Sequence, residues 1–271
     1  MRSGQMAQRQ PASLLQIEAA VRLGDEGGPR AAEAVHRSAA PIAAAVPTLT
    51  AVTGGTEIVV GDGAGLLIPV GHDLGPLYEE PGVPRRVPQV RAGADVAELD
   101  DNDFVVWLLA HGTSDEDRPT RATLLKKSEQ LGLAHAQVDA AIERFLADGL
   151  LVEVVPDGPS ARGFAQQHQL FPLMLGIGSD PDEPQMQVIG LFDQPVAQVS
   201  EPMYDMWVWG HLAPDLWTAC HDAVEAARRA GVTDPDELRP SRVLAGVLDA
   251  VHALLSCRAA YFDRRRPGMG A

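Results

Sequence analysis

Cys220, His221 and Asp222 stand side by side and would supply the three groups of a nucleophilic triad. On a helix, however, successive side chains point about 100° apart, so neighbours in sequence cannot converge on one another. A cysteine nucleophile takes its base from elsewhere in the chain. Cys220 is therefore expected to be a small buried hydrophobe, and Cys257 the same. Gly61-Asp-Gly63-Ala-Gly65 follows a strand-like segment, as a dinucleotide-binding loop does. It leads into another strand-like segment, not into the helix whose N-terminus would face a pyrophosphate. It reads as a hairpin turn. The histidines (His36, His72, His111, His135, His168, His211, His221 and His252) form no metal-ligand spacing, and no pair of carboxylates stands where its two pKa values would be driven apart. His135 and His168 are expected at the surface. No catalytic residue, metal or cofactor is predicted, and the chain reads as non-enzymatic.

Two other groups of residues could bind something. Met203, Met206, Trp207, Trp209 and Trp217 make one stretch rich in methionine and tryptophan, suited to a hydrophobic pocket, an ordinary core or a subunit interface. Basic residues gather between 118 and 162: Arg118, Arg121, Lys126, Lys127, Arg144 and Arg162. The two lysines are the only ones in the chain.

The elements that would position these residues follow from composition and periodicity. The 271 residues are 45% hydrophobic, enough for a real core, and carry a net charge of -15. Such acidity opposes nucleic acid at long range without excluding a locally basic face. Two widely spaced cysteines are no disulfide framework and fit a reducing cytoplasm. The first residues lack a signal-peptide core, and no apolar run reaches the ~20 residues of a membrane helix.

Residues 1–55 read as an arm with short helices, one capped by Ser13 and one Ala-rich. Residues 56–97 read as a hairpin (57–60 with 66–70) and then an extended proline-rich linker holding Arg85, Arg86 and Arg91. Residues 98–180 hold three helical patterns. The first is capped by Asp101 or Asn102 and stops at Gly112, and the second is capped by Thr120 and ends at Gly132. The third buries Val138, Ala141, Ile142, Phe145 and Leu146 and stops at Gly149. Leu150–Val155 and Gln169–Leu175 are strands, joined by a loop at 156–163. Residues 181–271 add strands at 186–192 and 196–199, a helix over 213–230 and a long helix from Ser241, ending in a basic tail. The class is α+β.

The order helix, helix, short turn, helix, strand, loop, strand, with Phe145-Leu-Ala-Asp-Gly-Leu-Leu-Val at the third helix's end, resembles the winged helix-turn-helix superfamily over residues 98–178. In DNA-binding members the third helix enters the major groove and the wing touches the backbone. The resemblance implies a DNA-binding transcriptional regulator whose C-terminal half dimerises or senses a ligand. Its contacts would be Arg118, Arg121, Lys126, Lys127, His135, Gln137, Arg144 and Arg162. Yet the third helix also carries Asp139 and Glu143. Residues 98–178 hold 13 acidic against 6 basic side chains, a net charge of about -7, where dedicated DNA binders are usually basic. The stretch Ala97-Glu-Leu-Asp-Asp-Asn-Asp-Phe-Val-Val-Trp-Leu-Leu-Ala-His-Gly-Thr also resembles PqqD-like peptide-recognition elements. These are winged-helix relatives that present leader peptides by strand addition to an exposed sheet edge. That resemblance implies the alternative, an adaptor that binds a partner protein or peptide and leaves DNA alone.

Overall fold

A computed structural model describes residues 65–78, 86–112, 118–192 and 194–265, in an α+β arrangement. The arm and short helices expected within 1–55, and the expected strand at 57–60, lie outside the described residues.

β1 (Leu66–Pro69) is buried at all four positions and separates two cores. Strand alternation sends Leu67 into one core and Leu66, Ile68 and Val70 into the other. β2 (His72–Tyr78), β3 (Arg86–Ala92) and β4 (Asp95–Glu98) form an antiparallel meander in the order β2-β3-β4. This replaces the extended linker expected over 71–97. Gly93 opens the two-residue β3–β4 turn at φ +66°, a conformation in which a Cβ would be strained.

Three helices follow. α1 (Asp101–Leu109) is capped by Asp100, whose Oδ1 accepts from the Asp103 amide at 2.8 Å. α2 (Arg121–Gln130) begins with a reciprocal pair, Thr120 and Thr123 each bonding the other's backbone amide. α3 (His135–Asp148) ends at Gly149 in the left-handed conformation, as expected. Phe104, Trp107 and Leu108 of α1, Leu124 of α2, and Val138, Ile142 and Phe145 of α3 pack with Val90 and Leu67 in the first core.

β5 (Leu151–Val154) pairs antiparallel with β1. The expected wing hairpin is not formed. Its loop is largely a helix, α4 (Pro159–Gln167), with Pro159 in the first turn, where its missing N–H costs nothing. Its expected return strand, β6 (His168–Pro172), pairs instead with β10 (Ala260–Arg264). Beside β5 the return strand's place is taken by β1, which also bridges Thr120 along its other edge and donates from the Leu67 amide to the Pro119 carbonyl at 2.6 Å. The last helix is thus followed by a strand that takes in Arg264, the first residue of the expected basic tail, and the tail from 266 on lies outside the described residues.

β7 (Leu175–Ser179), β8 (Met186–Leu191) and β9 (Gln194–Ser200) form a second meander. α5 (Glu201–Trp209) packs on β8 and β9, while α6 (Leu216–Arg229) and α7 (Pro240–Ser256) pack on each other and on α4. The second core unites these helices with Ala161, Phe164, Ala165 and Leu170, so residues 159–172 pack with the C-terminal half and not with α1–α3.

Candidate functional site

Three of the arginines proposed for DNA contact, Arg118, Arg121 and Arg144, are ion-paired within the chain. Arg121 on α2 donates to Glu143 at 2.6 Å and to Asp139 at 3.3 Å, both on α3. Bonding to Glu143 raises the guanidinium's pKa further above its ordinary value. Arg144 on α3 holds Asp103 of α1 through both carboxylate oxygens, at 2.6 and 2.7 Å. Arg118 pairs with Asp249 of α7 at 2.7 Å. Arg162 on α4 lies over the Trp217 ring, 4.8 Å from its centroid. Lys126 is exposed and Lys127 half-buried. His135 is at the surface as expected, 3.5 Å from Glu129. Gln137 folds back to accept from the Ala134 amide. The outward face of α3 thus presents carboxylates already bonded to arginines, not a row of free cations.

The methionine–tryptophan stretch is split by the fold. Met203, Met206 and Trp207 fill the second core, and the Trp207 indole donates to the Ala259 carbonyl at 2.8 Å. Trp217 is half-buried, and Trp209 is 61% exposed. They do not line a common pocket. A shallow groove of about 450 Å³ lies elsewhere, between Leu146, Gly149, Glu153, Gln167, His168 and Arg264. His168, expected at the surface, is buried with Nδ1 2.8 Å from the Phe164 carbonyl, and burial lowers its pKa.

Cys220 is fully buried, and burial pushes its thiol up to about 12. His221 and Asp222 are exposed, and the His221 ring stands edge-on to Trp217. The Cys-His-Asp run makes no triad. Cys257, half-buried, has its thiol raised by burial to about 11. Among the described residues no three His, Cys, Asp or Glu side chains group to hold a metal ion. No described helix is long and apolar enough to cross a membrane.

What the sequence reading missed is a sheet edge. β4 is the outer strand of its meander. The Leu99 amide bonds the Pro88 carbonyl at 2.9 Å, and Ala97 and Asp95 stand opposite Val90 and Ala92. By antiparallel alternation these are the residues whose backbone groups face β3. The N–H and C=O of Val96 and Glu98 face away from the sheet. Ala97 packs against the first core, while the Val96 side chain is 50% exposed. The one sequence signal for this edge was the alternation in Asp95-Val-Ala-Glu-Leu99, hidden by the prolines before it.

The edge is pinned at its start. Arg264 of β10 bonds Asp95 at 3.1 Å and the Asp148 carbonyl at the end of α3. Arg91 of β3 donates to Asp263 at 2.9 Å and to the Tyr261 hydroxyl at 3.1 Å, and the Gly93 amide donates to Asp263 at 2.6 Å. Arg258 bonds Asp73 of β2 at 2.7 Å. The meander is thereby fastened to the C-terminal half along β10.

Comparison of the chain with protein-family models, with curated proteins and with solved structures gives no match.

Proposed function

We propose that this protein is a non-enzymatic adaptor whose three-helix and meander unit captures an extended segment of a partner protein by strand addition to β4. The observation that carries this reading is the edge of β4, which no other strand pairs among the described residues, with the backbone groups of Val96 and Glu98 turned outward. A meander leading directly into three helices is also in keeping with the resemblance of residues 97–113 to PqqD-like peptide-recognition elements. The DNA-binding alternative has less support. Arg118, Arg121 and Arg144 are ion-paired within the chain, and phosphate contact would have to displace carboxylates that remain nearby. Two free thiols suit a reducing compartment such as the cytoplasm.

Selection from a phage-displayed library of linear peptides tests the reading. Peptides that bind the full-length protein and fail to bind a folded Val96→Pro variant are expected, because proline removes an outward N–H that the added strand needs. Recovery of peptides that bind both proteins equally would place recognition elsewhere.

A further inference from the structure

We infer that the segment received at β4 is basic, carrying lysine or arginine at alternate positions; this rests on the strand-addition reading above. The carboxylates are what single out the partner. Asp95, Glu98, Asp100, Asp101 and Asp103 fall within nine residues along β4 and the entry to α1. Two of them already hold an arginine from another element. Asp95 takes Arg264 from β10, and Asp103 takes Arg144 from α3. The strip thus binds guanidinium groups at both of its ends within the chain itself. Between those ends the neutralisation is incomplete. Glu98 accepts only a neutral amide, from Gln89 at 3.3 Å. Asp100 serves as the helix cap for Asp103, and Asp101 is exposed in the first turn of α1.

A strand laid against β4 would bond the outward groups of Val96 and Glu98, and its side chains would project on alternating faces about 6.5–7 Å apart on each face. The residue opposite Glu98 on the shared face therefore meets a carboxylate, and residues beyond it run toward Asp100 and Asp101. Opposite charges across strands favour one another, whereas like charges directly opposite are destabilising. An acidic segment would meet the charges of Glu98 and, beyond the strand's end, Asp101, and a basic one completes the pattern that Arg264 and Arg144 begin.

Fluorescein-labelled octapeptides alternating valine with lysine, threonine or aspartate, titrated into the full-length protein at about 50 and 200 mM salt, test the inference. The lysine peptide is expected to bind roughly five- to tenfold more tightly than the threonine peptide, with the aspartate peptide weakest. That advantage should shrink at the higher salt. The double variant Glu98→Gln with Asp101→Asn, both at exposed positions, should bring the lysine peptide close to the threonine peptide. Val96→Pro should abolish binding of both. If threonine or aspartate peptides bind as tightly as lysine and are lost in Val96→Pro, the basic-partner inference is overturned while strand addition stands. If no peptide binds, or Val96→Pro binds lysine peptide unchanged, strand addition fails and the inference falls with it.

Discussion

Arg121 at the start of α2 donates to Glu143 on α3 at 2.6 Å and so ties the two helices together. Asp139, one turn earlier on α3, accepts from the same guanidinium at 3.3 Å. A single arginine thus meets two carboxylates, and the helix pair shows phosphate a neutral or negative face. Labelled duplex DNA titrated at about 50 mM salt is expected to show no affinity with a steep salt dependence. A log–log slope steeper than roughly -3, the mark of several released counterions, would restore the DNA-binding reading. Arg121→Ala should cost no more than about 1 kcal/mol of stability, since the pair is largely solvated.

His252 sits in α7 at 3% exposure, and neither ring nitrogen has a hydrogen-bond partner among the described residues. A buried imidazole without partners forfeits its hydration and gains nothing in exchange. His252→Leu is therefore expected to stabilise the protein by about 1–3 kcal/mol in chemical denaturation. An equal or lower midpoint in the variant would mean that the ring nitrogens are satisfied in solution.

His111 and His252 are the buried histidines whose pKa values are driven furthest down. Burial lowers His111 to about 3 and His252 to about 4, from an ordinary value of 6.5. Each is neutral in the folded protein and protonates on unfolding once the pH falls below 6.5. Protonation of these rings therefore costs the fold nothing above about pH 6.5 and progressively more as the pH falls from that value toward the folded pKa values. From these two groups alone unfolding takes up as many as two protons within the window, which raises its equilibrium constant by up to about a hundredfold per pH unit. Denaturation midpoints measured from pH 7 to pH 4.5 should fall less steeply for His252→Leu than for the wild type. Parallel curves would remove His252 from this account.

How much of this could be read from the sequence depended on whether a segment's partners were local. The helices α1, α2 and α3 were legible because caps and stops are short-range: Thr120, Gly132 and Gly149 each act within one turn. The strands β5, β6, β8 and β9 were legible as strands, but pairing was not. Nothing in Leu150–Val155 says that its neighbour comes from residue 66 and not from residue 169, because both candidates are equally apolar. Proline content misled twice. Pro159 was read as part of a loop although it occupies the first turn of α4. Pro76 and Pro88 suggested a linker, yet they stand opposite one another in the β2–β3 ladder. The Pro88 carbonyl points to Leu99, so by alternation this pair needs no bond across β2–β3, and proline removes none there. Of the candidate contacts, Arg118, Arg121 and Arg144 have carboxylate partners 18 to 131 residues away, which could not be assigned from spacing.

The direction of the β4 backbone groups predicts different outcomes for proline at adjacent positions. The Val96 N–H faces away from β3, so Val96→Pro leaves the ladder to β3 intact and adds only the restraint of a fixed φ. The Ala97 N–H faces Val90, so Ala97→Pro removes a ladder bond and leaves a carbonyl of buried Val90 without its donor. Ala97 also packs against the first core, where a proline ring must displace neighbours. Ala97→Pro is expected to be the more destabilising of the two by roughly 1–3 kcal/mol in urea denaturation. Hydrogen exchange should agree: amides facing β3 exchange slowly, while the Val96 amide exchanges fast in the free protein and slows when a strand is bound. Equal losses from the two prolines would mean that β4 already has a second neighbour in solution, and the open edge on which strand addition depends would not exist.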